Sequence, residues 1–218
     1  MIETLTFPEP YKLDRAPAGR PGVNRERILD CAAALVAGGD LSALTCAALA
    51  RMLRIRPPSL YRHFDSLEKV RDGLAIRALT ELTDLSRAAI SGRAGRCAVE
   101  ALADAQRVYA HAHPGMYEVA VRGPTGFSVE SAKAMQAYQA VELAALRAYG
   151  LPNDEAPRLA RCLRASIWGF ISIELRDPWA KPLEVDEGFD RLIDLLDAGA
   201  RAAEVFQPVG LKLAVRTP

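Results

Sequence analysis

From Asn24 to about residue 204, apolar side chains return every three or four residues, and where the return fails a Gly or Pro usually stands. That spacing gathers apolar groups on one face of a helix; strands need alternation, which few windows of this chain show. The breakers then divide the chain into elements. Asn24 caps a first helix carrying Ile28, Ala32, Leu35 and Val36, which Gly38-Gly39 ends. Thr45 caps a short second helix bearing Leu49, Met52 and Leu53. Pro57-Pro58 opens a third, because proline is tolerated in a turn or in the first turn of a helix. Ser66 caps a fourth through Val70, Leu74 and Leu79 towards Ile90. Further helices are expected up to His113-Pro114, around residues 116–121, from Ser128 to Tyr149, over 154–176 and over 186–204. These nine helices make an all-α fold, with three short helices followed by a larger helical body.

Half of the 218 residues are hydrophobic, enough to bury a sizeable core. Residues 1–22, with Pro8, Pro10, Pro17 and Pro21 beside Gly19 and Gly22, read as a flexible arm, and 207–218 as a tail. Cys31, Cys46, Cys97 and Cys162 show no CxxC spacing and read as reduced, small apolar residues. With no basic-then-apolar leader and no run of 18 apolar residues, a soluble cytoplasmic protein with no membrane contact is expected. Neither GxxxxGK, GxSxG nor HExxH occurs, so no enzyme and no cofactor are expected. His111 and His113 form an HxH without a further ligand at recognisable spacing, so they read as helix-end histidines and no metal is expected.

The formal charge of +1 hides a polarity. Residues 15–64 hold eight arginines against Glu26, Asp30 and Asp40, a local +5, and the remainder carries −4. A cationic end attracts a polyanion, because each neutralised phosphate releases condensed counterions. Within that end, residues 45–64 read TCAALARMLRIRPPSLYRHF. Leu49, Met52, Leu53, Ile55, Leu60 and Phe64 form an inward set, leaving Arg54, Arg56, Ser59, Tyr61, Arg62 and His63 outside. On spacing alone this is either a helical hairpin with a solvated basic face or a helix-turn-helix that lays its second helix in a major groove.

The SLYRHF core, the T…LA…L helix before it and the first helix RERILDCAAALV closely resemble the DNA-binding domain of the TetR family of transcriptional regulators. The resemblance implies a helix-turn-helix domain over 23–65, a connecting helix over 66–90 and a ligand-binding and dimerisation domain over 91–206. It further implies double-stranded DNA as a partner, read as a palindromic operator by a repressor whose activity a ligand controls. Carried over by position, Thr45 meets a phosphate, and Arg56, Pro57 and Ser59 open the recognition helix nearest the bases. Tyr61 and His63 touch phosphates while Leu60 and Phe64 anchor. Arg25 joins this set. Two positions depart from the family. Arg54 stands where Gly is usual, so a backbone avoiding positive φ is expected there. Leu67 replaces a common Lys, so that phosphate contact is either missing or taken over by Lys69 or Arg62.

Beyond residue 95 the likeness is fainter. HPGMYEVAVR and SIWGFISIEL resemble a subgroup with a Trp-His-Gly signature, of which only Trp168 and Gly169 are present. By that resemblance a homodimer forms through about 154–176 and 186–204. The stripes Leu159, Leu163, Ile167, Phe170, Ile171 and Phe189, Leu192, Ile193, Leu196, Ala200 either supply its self-complementary surface or close the protomer core. Tyr109, Met116, Tyr117, Phe127, Met135, Tyr138 and Trp168 are candidates to line a chamber for a small, largely apolar ligand, or are plain core. The alternative to a regulator is a helical ligand-binding or scaffold protein that does not bind DNA.

Overall fold

The computed structural model describes residues 23–176 and 182–203; the arm expected at 1–22 and the tail at 207–218 lie outside them. Among the described residues there are eight α-helices, three 3-10 segments and no strand. The helices are α1 (Arg25–Val36), α2 (Cys46–Leu53), α3 (Leu67–Ile90), α4 (Arg96–Ala112), α5 (Pro114–Arg122), α6 (Val129–Leu146), α7 (Glu155–Glu174) and α8 (Pro182–Ala202).

The starts follow local hydrogen bonding. Asn24, Thr45 and Ser66 accept from Arg27 N, Ala48 N and Lys69 N, which satisfies amides that the first turn of a helix leaves unpaired. Ser128 and Ser131 cap α6 reciprocally. The third expected helix is a six-residue 3-10 segment, Pro57–Arg62. Pro57 and Pro58 lack amide hydrogens, and the segment runs on short-range bonds such as Ser59 N to Arg56 O at 2.9 Å.

Arg54 overturns the expectation made for it. It lies in the left-handed region at φ 55°, ψ 43°, and its amide caps α2 through Ala50 O and Arg51 O. The turn therefore keeps the geometry that glycine would favour, held by these bonds and by Ile55 N to Ala50 O at 3.0 Å.

The 24-residue α3 spans about 36 Å and packs on α1 at one end and on α4, α5 and α6 further along. One continuous apolar cluster runs from Ile28, Leu49 and Phe64 through Leu74 and Leu79 to Tyr138, Ile167 and Phe189. The head (α1, α2, the 3-10 segment and the start of α3) thus shares its core with the body (α4–α8 and the rest of α3).

Two further contacts fasten them. Gly115 of α5 abuts the end of α1 so closely that a Cβ there would lie 1.6 Å from Val36 O. Asp72 of α3 accepts from Thr125 N at 2.9 Å, Thr125 Oγ1 at 3.0 Å and Gly126 N at 3.2 Å in the α5–α6 loop. Burial pushes the Asp72 carboxyl up, but the bonds from Gly126 and Thr125, with Lys69 nearby, outweigh it and hold the carboxyl below its ordinary value. Its contribution is therefore present above the unfolded value of about 4 and lost as the pH falls through the folded one. Asp72→Ala is expected to cost about 1–3 kcal/mol at neutral pH, and melting curves of parent and variant should converge in acid. A constant gap down to pH 3 would show that the clasp does not act through the carboxylate.

The stripes on α7 and α8 close the protomer core. Leu163, Ile167, Ile171, Phe189, Ile193 and Ala200 are all buried within one chain. What these helices leave outside is a second face, with Cys162, Ala165, Ala198 and Gly199 exposed beside Ile173 (69% exposed) and Leu195 (64%). Phe127, expected to line a chamber, is fully exposed in the loop just before α6.

Candidate nucleic-acid interface and ligand chamber

The head presents one polar, cationic surface. Leu60 and Phe64 sink into the core and fix the rotation of the 3-10 segment, so the residues between them must point away. Arg56, Pro57, Tyr61 and Arg62 are exposed, and Ser59 and His63 half-buried. Thr45 stands exposed at the N-terminus of α2, where backbone amides and the helix dipole favour an anion. Tyr61 lies across from it, its hydroxyl 3.7 Å from Cys46 Sγ. That contact with the Cys46 thiol pushes the Tyr61 hydroxyl up from its ordinary pKa, so it stays a neutral donor.

One expected contact takes on a packing role as well. Arg25 donates to His63 O at 3.3 Å and stacks 4.3 Å above the Phe64 ring, bracing the 3-10 segment from α1. Leu67 packs half-buried against the core, where the family's usual Lys would be a phosphate donor. Lys69, two residues on, sits 3.6 Å from Asp72 yet remains 51% exposed. Arg71 was missed from sequence. It pairs with Glu68 at 3.2 Å and reaches Leu44 O at 3.4 Å, tying α3 to the α1–α2 connection; an arginine on a helix surface gives no local sign of such a partner.

In the body, Tyr109, Met116, Tyr117 and Tyr138 are buried, while Met135 and Trp168 are half-buried. Trp168 Nε1 donates to Gln106 Oε1 and to Tyr138 Oη, both at 2.9 Å, and Tyr109 Oη donates to Glu81 at 2.8 Å. Arg164 grips the fully buried Glu142 through two nitrogens, with Nε 2.8 Å from Oε1. Nothing in sequence marked Gln106, Glu142 or Arg164, because a helical charge or amide reads as surface until its partner is placed. A cavity of about 840 Å³ lies instead on the other side of α5, between head and body, lined among others by Leu41, Arg71, Glu118, Val119 and Arg122. The residues expected to line a chamber are not in its wall. His111 Nε2 meets Glu174 Oε1 at 2.8 Å, and among the described residues no group of His, Cys, Asp and Glu could hold a metal ion. No helix among them is long and apolar enough to cross a membrane.

Residues 99–196 match the family described as tetracyclin repressor-like, C-terminal domain. The chain is 32% identical over 193 residues to the uncharacterized HTH-type transcriptional regulator Rv0681 of Mycobacterium tuberculosis, covering 88% of each. Its fold is shared with "a possible TetR family transcriptional regulator from Streptomyces coelicolor A3(2)", at TM-score 0.66 and 19% identity over 82% of this chain and 99% of that one. It is shared too with a TetR variant from Acinetobacter baumannii AYE in complex with minocycline, at TM-score 0.62 and 17% identity over 86% and 100%. With a basic head whose exposed edge is anchored by buried Leu60 and Phe64, and a helical body behind it, the chain belongs to the TetR family of helix-turn-helix transcriptional regulators.

Proposed function

We propose that this protein represses transcription as a two-fold dimer on a palindromic operator and lets go when a small, largely apolar ligand enters the body. The observation that carries the DNA-reading half is the exposed Arg56–His63 edge held rigid by buried Leu60 and Phe64. Thr45, Tyr61, His63 and Arg62, with Arg25 and Lys69 at the flanks, serve phosphates; Arg56, Pro57 and Ser59 lie nearest the bases. A two-fold dimer sets two such edges in successive major grooves, ~34–36 Å apart.

The outer face of α7 and α8 is the surface we assign to the dimer, since small residues there let helices approach and Ile173 and Leu195 lose water on contact. Leu195→Arg is expected to leave the protomer folded, shift sedimentation equilibrium to monomer and weaken operator binding. Leu163→Arg buries a charge within the chain and should unfold it. A Leu195→Arg protein that stays dimeric places the interface elsewhere.

Ligand release follows from α3, which begins in the head and ends in the body. To move the population from 1:99 to 99:1, a ligand must prefer the non-binding spacing by ~10⁴-fold, or ~5.5 kcal/mol. The fold is one that holds minocycline in the A. baumannii protein. The test of the whole reading is a gel shift of DNA flanking the gene, followed by footprinting. An inverted repeat protected on both halves supports it; failure to retard any fragment at low salt favours a helical ligand-binding protein instead.

A further inference from the structure

The inner wall of the body holds hydrogen-bond donors that the fold does not use. Tyr117 Oη and Gln106 Nε2 are buried to 0% and 1% exposure and meet no partner among the described residues. The orientation of the Gln106 amide is set by chemistry: Trp168 Nε1 can only donate, so it must face the amide oxygen, which leaves the NH2 end free. Gln106 shares the Trp168 donor with the Tyr138 hydroxyl, and Tyr117 stands on α5, which packs against the α4 that carries Gln106. A buried donor left unpaired destabilises a fold, so a cluster of them points to something that pairs them in another state.

Resting on the reading of the body as a ligand chamber, we propose that its ligand is an uncharged, mainly apolar molecule bearing a carbonyl-type oxygen (a ketone, ester or lactone) that accepts from Tyr117 Oη and Gln106 Nε2. Gln106 Nε2 can only donate and the Tyr117 hydroxyl can donate with it, so the ligand supplies the acceptor. It carries no carboxylate, because the cation nearest Tyr138 and Trp168, Arg164, is already neutralised by two bonds to Glu142. An anion there would be buried without a counter-charge. Helix α5 takes part in both places: its Met116 and Tyr117 are buried in the body, and its Glu118 and Val119 line the cavity between head and body. A ligand that shifts α5 also moves Gly115 against Val36 of α1, and so acts directly on the head.

Three probes of like shape separate the alternatives in calorimetry on the full-length protein: butyrophenone, butylbenzene and 4-phenylbutyrate. Butyrophenone is expected to bind at least tenfold more tightly than either of the others. Tyr117→Phe and, independently, Gln106→Met should reduce it to the level of butylbenzene. Without ligand, Tyr117→Phe is expected to raise the melting temperature, as an unpaired donor is removed. A lower melting temperature would mean that the hydroxyl is already bonded within the fold and would overturn the proposal. Equal binding of ketone and hydrocarbon, or strongest binding of 4-phenylbutyrate, overturns the ligand class and leaves the chamber standing. No binding of any of the three at millimolar concentration overturns the chamber as well.

Discussion

Gly115→Ala is expected to lower stability by more than the ~1–3 kcal/mol of ordinary overpacking, and to weaken operator binding in whatever fraction stays folded. An alanine Cβ would sit 1.6 Å from Val36 O and 2.5 Å from Val36 C, and both are backbone atoms at the end of α1. No rotamer change relieves such a clash, so either α5 or α1 must move. Alanine is the better helix former, by ~1 kcal/mol, so intrinsic propensity predicts the opposite sign. Urea melts of the two proteins decide between them. A neutral or stabilising result would show that α1 and α5 part freely, and with it the direct route from body to head would fall.

Tyr61→Ala and Arg56→Ala are expected to reduce operator affinity by about 1–3 kcal/mol per contact, and every substitution occurs twice on a two-fold operator. Removing Tyr61 should weaken all sequences alike, since a phosphate contact positions without reading. It should also lower the salt dependence little, because the Tyr61 hydroxyl is neutral and releases no counterion. Removing Arg56 should relax preference at one base pair in each half-site and flatten the salt slope. Fluorescence anisotropy against a set of single-substituted operators at several salt concentrations separates the two. If both variants match the parent on every operator, the Arg56–His63 edge is not the reading surface.

Most of the helices and their capped starts are written in the sequence, and the family resemblance it carries points to what the head is for. Caps such as Asn24, Thr45, Ser66 and Ser128 act over three or four residues, and the periodic apolar positions act over one helix, so both are written locally. The SLYRHF edge was legible for the same reason: its anchors and its exposed residues are interleaved within one short segment. Tertiary structure decided what depends on distant partners. Arg54 accepts a left-handed backbone because its amide and that of Ile55 bond back to α2, which outweighs a side chain's reluctance. The apolar stripes of α7 and α8 revealed amphipathic helices but not which neighbour each face meets. Packing on α4 and α6 turned Leu163 and Ile193 inward and left Leu195 outside. Gln106, Glu142 and Arg164 lie on three different helices, and each looks like ordinary helix surface in sequence. They became a buried polar cluster only when those helices were brought together, because the partner that makes burial of a charge or an amide tolerable is supplied from another part of the chain.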